Sequence, residues 1–311
     1  MKKFIAEKGN SAYEYMKRKS LPGFDSIPIY DVLKFFNEEI KRDQLPLRAA
    51  AMSFNFLLAI FPSIIFLFTL IPFIPIKGLD IIIYNFFQEV LPVSGYQFLL
   101  STITDIINIQ RGGLLSFGFI LAFYFSTNGV RMMMMAFNKN HPLYKKRGYW
   151  RRRAASARLT IYLFILFIAS VFLIIAGDKV VDSLANWFGM ENSTEKFFLS
   201  ILQWLIIVAL FFTSISLIYY YGPSAKDRWR FITPGASFAT IGTIIASLGF
   251  AFFVNNFGLY NEVYGSIGTL IVLMVWLNIN SLMLLVGFEL NNSIDVNRLL
   301  RTKLSEATQE A

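Results

Sequence analysis

Cysteine is absent from these 311 residues, and histidine occurs once. Without cysteine there is no disulfide framework, so a small stapled secreted domain is excluded. One histidine and no thiol leave no ligand set for a transition-metal enzyme. Neither a metal site nor a cofactor is therefore expected. Charge is scarce as well. Asp, Glu, Lys and Arg make up 16% of the chain, against about 25% in soluble domains. Catalytic signatures are missing too: there is no Walker loop, no nucleophile elbow and no paired-carboxylate motif. No catalytic residue is assigned, an enzyme is not expected, and transport driven by ATP hydrolysis on this chain is excluded.

Apolar side chains are what the chain has in excess, at 55%, with 33 Phe among them. A soluble domain of this size lacks the interior to bury that much apolar surface. A disordered chain is too polar a class to contain it. The remaining class is an all-α integral membrane protein. Six stretches reach the roughly 20 residues a spanning helix needs. They lie near 49–71, 114–135, 159–177, 197–220, 233–255 and 266–290. Residues 1–48 are polar, carry both signs of charge and show no short apolar core of a signal peptide. The expected organisation is a cytoplasmic N-terminal segment 1–48, a six-transmembrane-helix bundle 49–290 and a cytoplasmic tail 291–311.

The basic residues set the orientation. Segments 1–48, 136–158, 221–232 and the part after 290 hold 10, 8, 3 and 3 Lys plus Arg, 24 in all. The alternate loops 72–113, 178–196 and 256–265 hold 2, 2 and none, 4 in all. This positive-inside split predicts a multi-pass protein of the bacterial inner membrane with both termini cytoplasmic. The loop 136–158 contains no acid. Its Lys145, Lys146, Arg147, Arg151, Arg152 and Arg153 are candidates for contact with lipid headgroups, or simply a stop-transfer flank. A nucleic-acid partner is not expected.

Outside the spans, Ile29, Val32, Leu33, Phe36 and Ile40 recur at helical spacing opposite Lys34, Glu38, Glu39, Lys41 and Arg42. They predict an N-terminal amphipathic helix over 29–45. It either lies at the membrane interface or packs on the ends of the bundle. In the outer loop 72–113, apolar stripes at 82–90 and 98–107 predict two short helices around Pro92 and Gly95. Within the fifth span, Gly235, Ala239, Gly242, Ala246 and Gly249 form one small-residue face, against which a neighbouring helix is expected to lie. Pro62 is expected to kink the first span.

Polar groups at membrane depth mark candidate sites. Arg131 falls 17 residues into the second span, roughly 25 Å from its outer end at 1.5 Å per residue. Arg48 and Glu289 arrive at a similar depth from the first and sixth spans. Asn55, Asn128 and Asn278 lie deeper. These six are the expected substrate-binding residues of a cytoplasm-facing cavity. The competing readings are snorkelling for Arg131, a solvated helix end for Glu289, and interhelical hydrogen bonding for the amides.

Several local patterns occur in a fixed order. They are Arg48-Ala49-Ala50-Ala51 through Phe61-Pro62; Ser126-Thr127-Asn128-Gly129 with Arg147-Gly148-Tyr149-Trp150-Arg151-Arg152-Arg153; Tyr221-Gly222-Pro223 with Pro234-Gly235; and Tyr264-Gly265-Ser266 with Gly287-Phe288-Glu289-Leu290-Asn291. Together they resemble the YihY/BrkB family of bacterial inner-membrane proteins. The resemblance implies six transmembrane helices with both ends inside, in agreement with the charge split. It brings no established catalytic residues. Family members have been described as a tRNA-processing ribonuclease, as virulence factors and as suspected envelope-lipid transporters. The ribonuclease label finds no metal or acid–base cluster here.

The function expected from all this is transporter-like: movement of an anionic lipid or small amphiphile, with membrane phospholipid as partner and no ATPase of its own. The alternative is a non-transporting scaffold that binds an envelope protein or a second copy of the chain. The topology is directly testable. Single cysteines replacing Ser94, Ser193 and Asn261 should react with an impermeant thiol reagent from outside the cell. Those replacing Ser20, Lys146 and Ser305 should stay unlabelled, and their labelling in sealed cells would overturn the six-span arrangement.

Overall fold

A computed structural model describes residues 19–20, 23–25, 27–42, 44–73, 104–105, 109–138, 147–187, 193–225, 229–256 and 266–309, with single residues 17, 81 and 144. The described residues form seven α-helices: α1 Ile29–Arg42, α2 Leu45–Leu70, α3 Gly112–Ala136, α4 Tyr149–Trp187, α5 Ser193–Tyr221, α6 Pro234–Asn256 and α7 Ser266–Gln309. A 3₁₀ turn, Ile71–Phe73, follows α2. Helices α2 to α7 are all long and apolar enough to cross a membrane. Their mean hydropathy comes with side chains exposed over most of each helix, as expected where lipid replaces water as the solvent.

Two helices outrun the spans expected for them. Helix α4 begins at Tyr149 rather than near 159, because Arg151, Arg152 and Arg153 are good helix formers and continue the helix past the apolar run. At 39 residues it is about 58 Å long, well beyond a hydrocarbon core of about 30 Å. Helix α7 does not stop at 290 but continues to Gln309, so most of the expected tail is helical. Helix α2 runs unbroken through Pro62. The two short helices expected in 72–113 fall almost wholly outside the described residues.

The chain divides into two compact units, residues 1–53 with 130–311, and residues 54–129. In the smaller unit the C-terminal part of α2 and the N-terminal part of α3 run antiparallel. A Cβ at Gly129 would lie 2.9 Å from the Phe56 ring, and one at Gly118 3.4 Å from the Phe66 backbone. Phe66 and Phe119 add a tilted ring contact at 5.4 Å. Small residues on α3 thus let α2 approach closely, as lipid-embedded helices require.

The larger unit is built on α7. Helix α6 lies against it in antiparallel register, and α4 pairs with α5. The α6–α7 contact is backbone on backbone: a Cβ on Gly235 would collide with the carbonyl oxygen of Gly287. A Cβ on Gly287 would lie 2.6 Å from the Gly235 oxygen and 2.7 Å from Ala239 Cβ. Ala236 and Ala239 are fully buried, and a Cβ on Gly242 would lie 3.1 Å from the Met283 sulfur. The small-residue face does not stay covered to its end, however. Gly249 is exposed with nothing within 4 Å.

Helix α1 packs on the far end of α7 rather than standing alone. Phe24, Ile27, Val32 and Ile294 form a buried cluster flanked by Ile29 and Leu290. Arg301 with Asp31 at 3.3 Å and Arg298 with Asp25 at 3.2 Å close its edge. These ion pairs are exposed and contribute at most about 1 kcal/mol each, so the apolar cluster carries the docking. The chain enters through Gly23, whose φ is +87° and whose missing Cβ would sit 2.7 Å from Pro234 Cγ. Both the backbone angle and the space demand glycine there.

The tightest contact carries a prediction. Gly235→Ala should destabilise the protein by roughly 1–3 kcal/mol, because the obstacle is backbone and cannot rotate away. Gly249→Ala, with open space beside it, should melt with the parent. Thermal unfolding of both variants in the same detergent checks this, and equal midpoints would mean that the α6–α7 crossing is looser than described.

Candidate functional site

The basic end of the larger unit gathers the first turns of α2, the last turns of α3 and α5, the start of α6 and the middle of α7. Its centre is Phe288. The ring of Phe137 stacks on it at 4.7 Å, Trp229 lies at 5.4 Å and Tyr144 at 6.4 Å. Tyr219 touches both Phe137, at 5.9 Å, and Trp229, at 6.3 Å. This aromatic knot is tied down by hydrogen bonds from its polar tips. Tyr219 donates to the Leu284 carbonyl at 2.7 Å, Tyr144 to Asn292 Oδ1 at 2.8 Å, and Trp229 Nε1 to the Asp295 carboxylate.

The start of α6 and the end of α5 are satisfied by side chains from neighbouring segments. Thr233 is the N-cap of α6, accepting from the Ala236 amide at 3.1 Å, and Pro234 follows at the first helical position. The next amide, Gly235, has no partner in its own helix. Asn291 of α7 supplies one: its Oδ1 accepts from the Gly235 amide at 2.8 Å, while its Nδ2 donates to Thr233 Oγ1 at 2.9 Å. At the end of α5, Arg147 donates to the carbonyls of Tyr221, Gly222 and Pro223 at 3.1, 3.2 and 2.8 Å. A cation there also complements the negative end of the helix dipole.

The six expected binding residues separate into two groups. Arg48, Arg131, Asn278 and Glu289 belong to the larger unit, and Asn55 and Asn128 to the smaller one. Arg48 reaches across to α3, donating to the Ala136 carbonyl at 3.3 Å. Ala136 precedes Phe137, which stacks on Phe288 next to Glu289. Arg48 and Glu289 are thereby held at one level. Glu289 is fully buried. Arg131 lies one and a half turns back along α3 from Ala136. Its Nε is buried with no hydrogen-bond partner, and among the described residues it forms no salt bridge with Glu289. Asn278 is partly buried on α7, and its neighbour Asn280 bonds within the helix to Trp276 and accepts from Ser247 of α6. Asn55 lies beside Gly129, the residue following Asn128, in the smaller unit.

Of the six basic residues in 145–153, Lys145 and Lys146 fall outside the described residues. Arg147 is committed to the end of α5, and Arg152 donates back to the Arg147 carbonyl at 3.2 Å. Arg153 is partly buried and Arg151 is exposed. The sequence reading missed Arg158, Tyr162, Tyr220 and Tyr221. Together with Arg147 and Arg151 they line a cavity of about 550 Å³ between α4 and α5. The spacing of 151, 158 and 162 puts them on one helical face. Arg151 and Arg158 precede the apolar run of the span, so hydropathy alone does not mark 151–158 as helix. Asn291 was visible only as part of a motif, and nothing local shows that it caps another helix.

Six long apolar helices and a buried aromatic knot at one end define an all-α polytopic membrane protein. The chain matches the model of the family described as "Virulence factor BrkB" over residues 36–311 and belongs to that family. It is similar to the putative ribonuclease-like protein YfkH of Bacillus subtilis (strain 168), 31% identical over 247 residues, covering 78% of this chain and 88% of that one. A UPF0761 membrane protein of Tolumonas auensis is 25% identical over 286 residues, 86% of this chain and 87% of that one. A UPF0761 membrane protein of Xanthomonas campestris pv. campestris (strain B100) is 29% identical over 153 residues, 48% of this chain and 36% of the longer relative. No solved structure matches the chain.

The Asn291 bridge can be weighed directly. Asn291→Ala should cost about 1–3 kcal/mol, because it strands a buried amide as well as removing a bond. Asn297→Ala removes only a bond to Ser293 within its own helix and should cost far less. Thermal melts of the two variants should separate accordingly.

Proposed function

We propose that the protein is a transporter-like component of the bacterial inner membrane that takes an anionic lipid or small amphiphile at the basic end of its helices, without an ATPase of its own. The placement of that end on the cytoplasmic side, with both termini there, rests on the 24-to-4 division of basic residues. The observation that carries the reading is Arg131. Its Nε is buried and has no acceptor among the described residues. A buried donor left unmade costs about 1–3 kcal/mol, a cost that a bound anion removes. A guanidinium in a helix end surrounded by apolar side chains suits a phosphate headgroup whose tails remain in lipid.

Arg48, Asn278 and Glu289 complete the proposed site within the larger unit. The family supports the membrane setting and leaves the transported molecule open.

Arg131→Ala should reduce the anionic phospholipid that co-purifies with the protein while leaving the melting temperature close to that of the parent. Arg131→Lys should restore part of it, since an ammonium lacks the planar fork that grips phosphate with two bonds. Mass spectrometry of the lipid retained by the three purified proteins measures this. Unchanged anionic lipid in Arg131→Ala would remove the residue from the site and the reading with it.

A further inference from the structure

The cavity between α4 and α5 is separate from Arg131 and has its own chemistry. Its walls come from one face of α4 and the last turn of α5. On α4, Arg151 and Arg158 stand about two turns apart with Ala154 and Ala155 between them. The two alanines leave the volume that longer side chains would fill, so the arginines flank a hollow. Tyr162 closes one end of the face, its ring 5.8 Å from that of Tyr221, which in turn meets Tyr220 edge-on at 4.8 Å.

The charges in this hollow are not balanced locally. Among the described residues no carboxylate lines it, and residues 136–158 include no acid at all. Arg147 is spent on three backbone carbonyls and fixes the end of α5 as a wall. Arg151 and Arg158 are exposed, and neither makes a hydrogen bond or an ion pair among the described residues. Two free guanidinium forks with phenol groups beside them form a donor set for an oxyanion, and the bidentate geometry favours phosphate. Farther along α4 the side chains of Ile161, Ile165 and Ile168 are exposed to the surroundings of a spanning helix. The cavity therefore opens where polar headgroups give way to acyl chains, and its tyrosines suit that boundary.

We infer that this α4–α5 cleft is a second anion site, which binds a phosphate group at the basic end of the helices, held between Arg151 and Arg158 against the tyrosine wall. The phosphate of an anionic phospholipid is the source that the adjoining apolar surface favours; free phosphate has the same chemistry and is separated from it by the test. The inference shares with the proposed function only the class of ligand. It uses none of the Arg131 site, and either can fail alone.

The native chain has no cysteine, so a reporter can be placed inside the cleft. The full-length Ala154→Cys protein would be set in nanodiscs of phosphatidylcholine, alone or with phosphatidylglycerol, and its alkylation by uncharged N-ethylmaleimide timed. Trp150→Cys, on the same helix end but outside the cleft, is the reference that cancels the general surface potential. Phosphatidylglycerol should slow Ala154→Cys relative to Trp150→Cys. Each arginine lost should weaken the anion's hold about fivefold, so Arg151→Gln with Arg158→Gln should abolish the protection. Both arginines are exposed, and a melt confirms that the double variant folds. Slowing by inorganic phosphate in plain phosphatidylcholine, without a further effect of phosphatidylglycerol, would keep the site and assign it to a soluble anion. Protection should persist with Arg131→Ala, whatever that variant does to co-purified lipid. Equal relative rates in all three conditions, or protection that survives the double variant, would overturn the inference.

Discussion

Everything at the basic end depends on how closely α6 and α7 approach. Gly235 and Gly287 meet backbone to backbone, which places Asn291 within hydrogen-bond reach of the first turn of α6. The same gap admits Tyr219, whose hydroxyl would touch a Cβ at Gly287 at 2.5 Å and instead bonds to Leu284. With Tyr219 in place, Phe137 and Trp229 have rings to pack on, and Phe288 is enclosed. In lipid there is no hydrophobic force between helices to compensate for a poor fit. Close contact and internal hydrogen bonds must supply the association, and both begin at this pair of glycines.

The polar groups around the knot serve two different purposes. Arg147, Thr233 and Asn291 satisfy helix ends that the membrane would leave unpaired, and their partners are all within the protein. Arg131, Arg151 and Arg158 differ in having donors that no group among the described residues accepts. One is buried at the end of α3 and two flank an open cleft. A basic residue that caps a helix and one that awaits an anion look the same in composition. They are distinguished by whether a carbonyl lies within reach.

Helix α7 connects this end to the N-terminal segment. Its extension beyond the apolar stretch gives Ile294 to the cluster with Phe24, Ile27 and Val32. Asp295 meanwhile accepts from Trp229 and pairs with Arg298 at 3.1 Å. The first and last parts of the chain are thus held on one rod, which also carries Phe288 and Glu289.

Much of the fold was legible because the membrane imposes simple rules. Six runs of about 20 apolar residues and an alternating count of Lys and Arg are one-dimensional quantities, so span number and expected orientation follow from the chain alone. The amphipathic repeat at Ile29, Val32 and Phe36 likewise announced α1, and the spacing of Gly235, Ala239 and Gly242 announced a close helix contact. What the sequence left open was pairing. It did not say that Gly287 is the partner of Gly235, that Asn291 caps α6, that α1 docks on α7, or that Arg158 and Tyr221 share a cleft. Each of these joins residues dozens of positions apart on different helices. Helical periodicity reports which way a side chain faces, but the identity of what it faces is decided by the packing of the helices in three dimensions.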